Sequence, residues 1–339
     1  MTASFQSVPL IDISGLSSSS PDDRRRTADA IGRAAREVGF LQVTGHGLAP
    51  RLYADLQAAA SEFFALPLDR KMQWYIGRSV NHSGYVPEGE EVFADGKIDK
   101  KEAYDVNLDG PPDDGHTPMT GPTLWPELAG FEARVSAYYQ AVAALARRMF
   151  GAFALALDLP EDHFAPFLTA PPSQLRLIHY PFDPHAPPDQ QGIGAHTDYE
   201  CFTILGCTAP GLEVLNGEGT WIDAPPVPDS FVINIGDMLE AWTNGEFVAT
   251  SHRVRKVGEE RYAFPFFATC DYWTVVEPLP QFVSRDRPSA FPPIVAGEHL
   301  FAQTAQTFAY LKARRAGLPQ DARSLGSFGQ GARLAEVGS

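Results

Sequence analysis

Gly192–Leu205 reads GIGAHTDYECFTIL. Strand-forming residues flank a short polar triplet: Ile193 stands before it, Phe202, Ile204 and Leu205 after it, and His196 and Asp198 sit two residues apart between them. Successive side chains of a strand point to opposite faces, so residues two apart share a face. An imidazole and a carboxylate that project together are either solvated edge residues or two ligands of one metal. In a chain with nine histidines the triplet alone is a weak motif. A third ligand has to come from elsewhere.

Outward from this stretch the grammar is β. QLRLIHY (174–180), CFTILG (201–206), LEVL (212–215), FVINIG (231–236) and RYAFPFFA (261–268) are short runs punctuated by Gly, Pro, Asn or Asp. Such spacing predicts a sandwich or barrel, most commonly closed as a jelly roll. Upstream, VPLIDI (8–13) and FLQVT (40–44) read as strands. Ser20-Pro21 followed by acids opens a helix carrying Ala28, Ile31, Ala35 and Val38, and residues 50–64 are again helical. Residues 75–127 are irregular and rich in Gly, Pro and Asp, as a binding loop or a disordered segment would be. Residues 129–157 carry the clearest helical stripe: Phe131, Val135, Tyr138, Val142, Leu145, Met149 and Phe153. A further helix is predicted over 297–315. The fold class is therefore mainly β with flanking helices around a double-stranded β-helix (jelly roll) core. A helical and mixed region over 1–125 packs on the core, the core and its buttressing helices occupy 126–315, and 316–339 is a poorly structured tail.

The chain has 339 residues, 44% hydrophobic and 20% charged, with a net charge of −15. That surface repels a phosphate backbone, so nucleic acid is not expected as a partner. The short basic run Arg24-Arg25-Arg26 fits a solvated helix face. No apolar run is long enough to span a bilayer, and MTASFQSVPLID lacks the basic and apolar regions of a secretory signal. Cys201, Cys207 and Cys270 have no CxxC spacing, which suits a reducing compartment; a cytoplasmic location is expected. Neither GxGxxG nor GxxxxGK[ST] occurs, so nothing supports nucleotide binding. Oligomeric state is not legible.

Among the remaining histidines His252 stands apart, in the alternating run ATSHRVRKV, 54 residues after Asp198. In a jelly roll that separation can return the chain to a neighbouring strand. Two imidazoles and one carboxylate on one face of a metal leave three positions open, the arrangement of non-haem Fe(II) oxygenases. Ser251 is not a nucleophile served by His252, because strand neighbours face opposite ways.

The pattern HTD…H, with Arg261 nine residues later in RYAFPFF, resembles the iron- and 2-oxoglutarate-dependent dioxygenases, in the branch that includes isopenicillin N synthase. VPLIDISGL, REVGFLQVTGHGL, KKEAYDVN, LRLIHYP and NIGDMLEAWTNGEFVATSHRV each resemble a family segment, in the family's order, and SGYVPEGEEV resembles the bacterial ethylene-forming enzymes. The resemblance implies that His196, Asp198 and His252 bind Fe(II), with 2-oxoglutarate and O₂ taking the open positions. The co-substrate would leave as succinate and CO₂ while a small molecule, such as an amino acid or natural-product intermediate, is hydroxylated, desaturated or cyclised. Arg261 would clamp the distal carboxylate of 2-oxoglutarate, helped by the Tyr180 hydroxyl. Ala263 departs from the pattern, since the family usually has a serine there, and about 1 kcal/mol of hydrogen bonding is lost with it.

Three alternatives follow from the same residues: an iron oxidase of the isopenicillin N synthase type that uses no 2-oxoglutarate, ethylene formation from 2-oxoglutarate, and a non-catalytic metal- and ligand-binding barrel. The substrate contacts expected from sequence are Tyr85 and Glu90 in the irregular segment, Phe202 after the HxD and Phe266 on the arginine strand. Asn234, Gly236 and Asp237 read as a structural turn before a strand.

Overall fold

A computed structural model describes residues 4–92, 99–107, 120–187 and 190–315. The helices form where the sequence has both a start signal and an apolar stripe. Helix α1 (Pro21–Glu37) opens on Ser20, whose hydroxyl accepts from the Asp23 amide at 3.4 Å, with proline in the first turn and Asp22 and Asp23 at the positive end of the helix dipole. It stops before Gly39, whose φ of +73° suits glycine and where a Cβ would lie 2.2 Å from the Val248 carbonyl oxygen. Helix α2 (Pro50–Phe64), the short α3 (Leu68–Lys71) and the long α4 (Phe131–Ala156) follow. All seven positions of the α4 stripe are buried. Helices α1 and α4 pack together, and α2 packs on α4, forming a layer over one face of the large sheet.

That sheet has eight strands. In chain order they are β1 (Leu10–Asp12), β2 (Phe40–Thr44), β3 (Gly84–Val86), β4 (Glu102–Asn107), β5 (Gln174–Tyr180), β7 (Phe202–Cys207), β10 (Phe231–Ile235) and β12 (Arg261–Ala268). Their spatial order is β1-β2-β10-β7-β12-β5-β4-β3. The smaller sheet, of order β6-β11-β8-β9, comprises β6 (Ile193–His196), β8 (Leu212–Leu215), β9 (Trp221–Asp223) and β11 (His252–Val254). Helix α5 (Asp237–Trp242) follows β10. The pair β13 (Val275–Val276) and β14 (Ile294–Val295), then α6 (Ala296–Thr307) and α7 (Ala309–Arg315), complete the described chain.

The two sheets face one another as a double-stranded β-helix. Strands β1 to β4 of the N-terminal region pair directly into the large sheet, so this region extends the core as well as packing on it. The sequence reading of 231–242 needs one correction: the turn at Gly236 leads into α5, not into a strand, because Asp237–Trp242 closes helical hydrogen bonds and buries every side chain. The tail over 316–339 lies outside the described residues.

Candidate active site

Strand β6 ends on His196 and β11 begins on His252, and the two are directly paired across the antiparallel ladder. Their rings lie 4.3 Å apart between centroids. Asp198 follows two residues past the end of β6, and its Oδ1 is 3.6 Å from Nε2 of each histidine. The three donor atoms all lie within 4.8 Å of one another. Each Nδ1 meets a carbonyl, Gly194 at 2.8 Å for His196 and Thr250 at 3.3 Å for His252. A carbonyl can only accept, so Nδ1 carries the proton and Nε2 presents its lone pair to the centre.

The carboxylate is held from the large sheet. Asp198 Oδ2 accepts from Asn234 Nδ2 on β10 at 2.7 Å and from the Thr203 hydroxyl on β7, which leaves Oδ1 facing the imidazoles. The Asp237 amide donates to the Asp198 carbonyl at 2.8 Å. Gly236 is required here, since a Cβ would sit 2.2 Å from the backbone oxygen of Glu200. Burial, reinforced by His252, pushes His196 down to about 4, so it is neutral at pH 7 as a ligand must be. Burial works against ionisation of Asp198, but His252, His196, Thr203 and Asn234 outweigh it and hold its carboxyl below the ordinary value. Two imidazoles and one carboxylate on one side of a point suit a divalent first-row metal such as Fe(II).

The cavity above this triad lies between the sheets. Arg261, at the start of β12, lines it and is wholly buried. Its Nε donates to the Ala209 carbonyl at 3.1 Å, and its guanidinium lies 4.6 Å from the centroid of the Tyr180 ring. Nη1 is buried with no partner, and among the described residues no carboxylate pairs with Arg261. A buried guanidinium without a counter-ion is costly, and its planar fork matches a carboxylate. Among the described residues the Arg261 guanidinium is thus left able to receive an anionic group. Ala263, on the same face of β12, also lines the cavity and offers no hydroxyl.

Sequence reasoning missed a second group of charges. Arg176 on β5 makes a fork with Asp105, at 2.7 and 2.8 Å, and reaches Glu91 at 3.2 Å. Lys101 Nζ lies 2.7 Å from Glu91 and 3.4 Å from Asp99. Burial opposes ionisation of Glu91, but Arg176 and Lys101 prevail and bring it down to about 2. Glu200 also lines the cavity; burial, then the charge of Asp198, pushes it up to about 8. Arg176 was legible in principle: counting in twos from Tyr180 along β5 gives Ile178, Arg176 and Gln174, all of which line the cavity.

The expected substrate contacts face elsewhere. Phe202 packs on Phe150 and Phe153 of α4, with centroids 4.8 and 5.1 Å apart, and Phe266 packs on Tyr139 at 5.2 Å. Tyr85 is buried beside Phe63, its hydroxyl donating to Glu102 at 2.6 Å. Glu90 is held by the Tyr75 hydroxyl and the Tyr310 amide, both at 2.8 Å. The cause is strand parity. Arg261 faces inward, so Ala263, Pro265 and Phe267 do too, while Phe266 is on the helical side. Likewise Thr203 and Leu205 line the cavity in place of Phe202, and Glu91 lines it in place of Glu90.

The family model for the 2OG-Fe(II) oxygenase superfamily matches residues 172–269, and that for the non-haem dioxygenase in morphine synthesis N-terminal region matches residues 8–128. The chain is 34% identical over 327 residues to homoarginine-6-hydroxylase 2-ODD-233 of Oryza sativa subsp. japonica, covering 91% of this chain and 99% of the relative. Among solved structures it is similar to a putative 2OG-Fe(II) oxygenase family protein of Caulobacter crescentus, at TM-score 0.77 and 29% identity over 93% of this chain and 100% of that one. It is also similar to a full-length Neurospora crassa protein in complex with alpha-KG, at TM-score 0.77 and 25% identity over 88% of this chain and 96% of that one. The chain belongs to the 2OG-Fe(II) oxygenase superfamily and is an Fe(II)- and 2-oxoglutarate-dependent dioxygenase. No helix among the described residues is long and apolar enough to cross a membrane.

Proposed function

We propose that His196, Asp198 and His252 hold the Fe(II), that Arg261 with Tyr180 receives the distal carboxylate of 2-oxoglutarate, and that the enzyme oxidises a small molecule of amino-acid or natural-product size. The carrying observation is the pairing of two unmet needs in one cavity: three donor atoms within 4.8 Å and a buried guanidinium whose Nη1 has no partner. The bound iron and 2-oxoglutarate supply the oxidising power when O₂ is present, and succinate and CO₂ are the co-products. The chain's own residues do the rest. Asn234 and Thr203 fix the carboxylate, the two carbonyls fix the imidazole tautomers, and the apolar walls Leu205, Leu212 and Val254 exclude water. The cluster of Glu91, Lys101 and Arg176 gives the substrate wall an ionic character suited to a zwitterion, and the rice relative is named for an amino acid. Hydroxylation is the reaction we favour, as in that relative's name.

Anaerobic addition of Fe(II) and 2-oxoglutarate is expected to give a weak visible charge-transfer band that His196→Ala abolishes. No band with the intact protein refutes the assignment. Succinate formed per O₂ consumed separates this reading from a 2-oxoglutarate-independent oxidase. Three free cysteines and an acidic surface suit a cytoplasmic enzyme with no nucleic-acid partner.

A further inference from the structure

On the face of β5 turned away from the cavity, His179 is held between two carboxylates. Its Nδ1 lies 2.9 Å from Glu102 Oε1, and its Nε2 meets Glu260 Oε1. Glu102 Oε2 also accepts from Lys71 Nζ of α3 and from the Tyr85 hydroxyl of β3, both at 2.6 Å, and Glu260 Oε2 accepts from the Phe182 amide at 2.9 Å. Carboxylates engaged in this way are ionised and can only accept, so both ring nitrogens donate and the ring is an imidazolium. Phe64 of α2 and Tyr262 of β12 stack on it, with centroids 5.3 and 4.9 Å away, and aromatic faces suit a cation. Burial opposes the charge, but Glu102 and Glu260 outweigh it and hold His179 above its ordinary 6.5. The titratable groups facing the ring are thus Glu102, Lys71, Tyr85, Glu260 and Tyr262, and burial pushes both tyrosine hydroxyls up.

The place of this ring in the ladder gives it a further role. Tyr180 is paired with Arg261 and His179 with Tyr262, while the ladder from β12 to β7 begins only at Ala263. The end of β12 that carries Arg261 is therefore held in register from the β5 side. Glu260, the residue before Arg261, bonds His179 and Phe182, which stand on either side of Tyr180. Glu102 carries the tie onward to β4, where it is paired with His179. Resting on the assignment of Arg261 and Tyr180 above, we propose that His179 is a positioning residue that works as an imidazolium: with Glu260 it holds Arg261 and Tyr180 aligned for the distal carboxylate of 2-oxoglutarate. A neutral ring donates through one nitrogen only, so one carboxylate is released as the proton leaves. Glu260 is the half-exposed one, and its release loosens the start of β12. The group is charged below its folded pKa, so co-substrate affinity is full there and falls as pH rises through it.

The test measures the Kd of 2-oxoglutarate for the protein at saturating Zn(II), in place of iron, from about pH 6 to about pH 9, where the co-substrate stays ionised. The His179 ring is followed in parallel by imidazole NMR, its signal identified by its loss in His179→Gln. Wild-type Kd is expected to rise about fivefold as pH passes the midpoint of His179, and by reciprocity saturating 2-oxoglutarate raises that midpoint by about 0.7. His179→Gln is expected to show the weaker Kd at every pH. Glu260→Gln keeps a bond to the ring but removes one charge, and is expected to move the transition to lower pH. A merely structural role would weaken binding equally at every pH and leave the midpoint indifferent to co-substrate. A flat wild-type profile, a transition that persists in His179→Gln, or a midpoint that 2-oxoglutarate does not move overturns the inference. Failure of the Arg261 assignment looks different: no binding by wild type at any pH, or full affinity in Arg261→Met, and either one overturns this inference with it. If His179→Gln fails to fold, the wild-type midpoint and Glu260→Gln decide it.

Discussion

Arg261→Met has effects of two kinds, and they separate stability from co-substrate binding. Methionine keeps the length and most of the volume of the buried stem but removes the charge. Without ligand, the substitution loses the bond to Ala209, about 1.5–3 kcal/mol for a charged donor, and the contact over Tyr180, about 0.5–2 kcal/mol. Against this, it relieves a wholly buried cation that has no counter-ion, an effective penalty on the order of several kcal/mol. The terms oppose one another, so the stability of the ligand-free protein is expected to change by no more than about 2 kcal/mol. The ligand response behaves differently. At one hundred times Kd, 2-oxoglutarate stabilises the wild type by about 2.7 kcal/mol, or roughly 4 °C in Tm for a chain of this size. Loss of a bidentate charge-assisted pair, about 3–4 kcal/mol, raises Kd more than a hundredfold, so the same concentration moves the variant by less than about 1 °C. Thermal unfolding with Mn(II) in place of iron, at fixed protein concentration and with and without 2-oxoglutarate, measures both numbers. A variant that keeps the full 2-oxoglutarate shift refutes the role of Arg261, whatever its own Tm.

Further outcomes follow from neighbouring residues. Ala263→Ser adds a hydroxyl on the cavity face two residues from Arg261 and is expected to tighten 2-oxoglutarate binding by up to about tenfold, for a gain of about 1.4 kcal/mol, as measured by titration. Asn234→Ala removes the donor to Asp198 Oδ2 and is expected to weaken metal affinity by about 10–100-fold in a competitive chelator assay, with 2-oxoglutarate affinity at saturating metal little changed. His299 on α6 is wholly buried, and burial pushes it down to about 4 from 6.5. The folded state then binds fewer protons than the unfolded state between those values. Stability is full above about pH 6.5 and falls as pH drops toward 4, by about 2 kcal/mol at pH 5 from this group alone. Urea unfolding at pH 7 and pH 5 should show that loss in wild type and a flatter dependence in His299→Leu.

The candidate metal set and the arginine, which the fold brings to one cavity, could be nominated from the sequence because strand alternation and spacing along the chain carry them. His196 and Asp198 share a side, and His252 and Arg261 lie nine residues apart across one turn of chain between β11 and β12. Tyr85, Glu90, Phe202 and Phe266, expected from sequence as substrate contacts, do not line the cavity, although part of the signal for its lining was present. In RYAFPFFA both faces are apolar, so hydrophobicity alone does not say which is inward; counting from Arg261 would have chosen Phe267 over Phe266. Glu91 and Lys101 gave no such clue, because Glu91 meets Arg176 across 85 residues of chain and Lys101 joins the cluster through Glu91. Asn234 looked like part of a turn, and only the sheet pairing of β10 with β7 aims its amide at Asp198.

The direct cross-strand pairing of His196 with His252 bears on how such an enzyme can diversify. The ladder register sets the distance between the imidazoles, whatever the length of the intervening loops. Part of the cavity lining is carried by other stretches, around Glu91 and Lys101 before the cradle and around Thr304 and Phe308 after it. The lining of the cavity can therefore be changed by exchanging those outer segments as cassettes, with the two imidazoles left where they are.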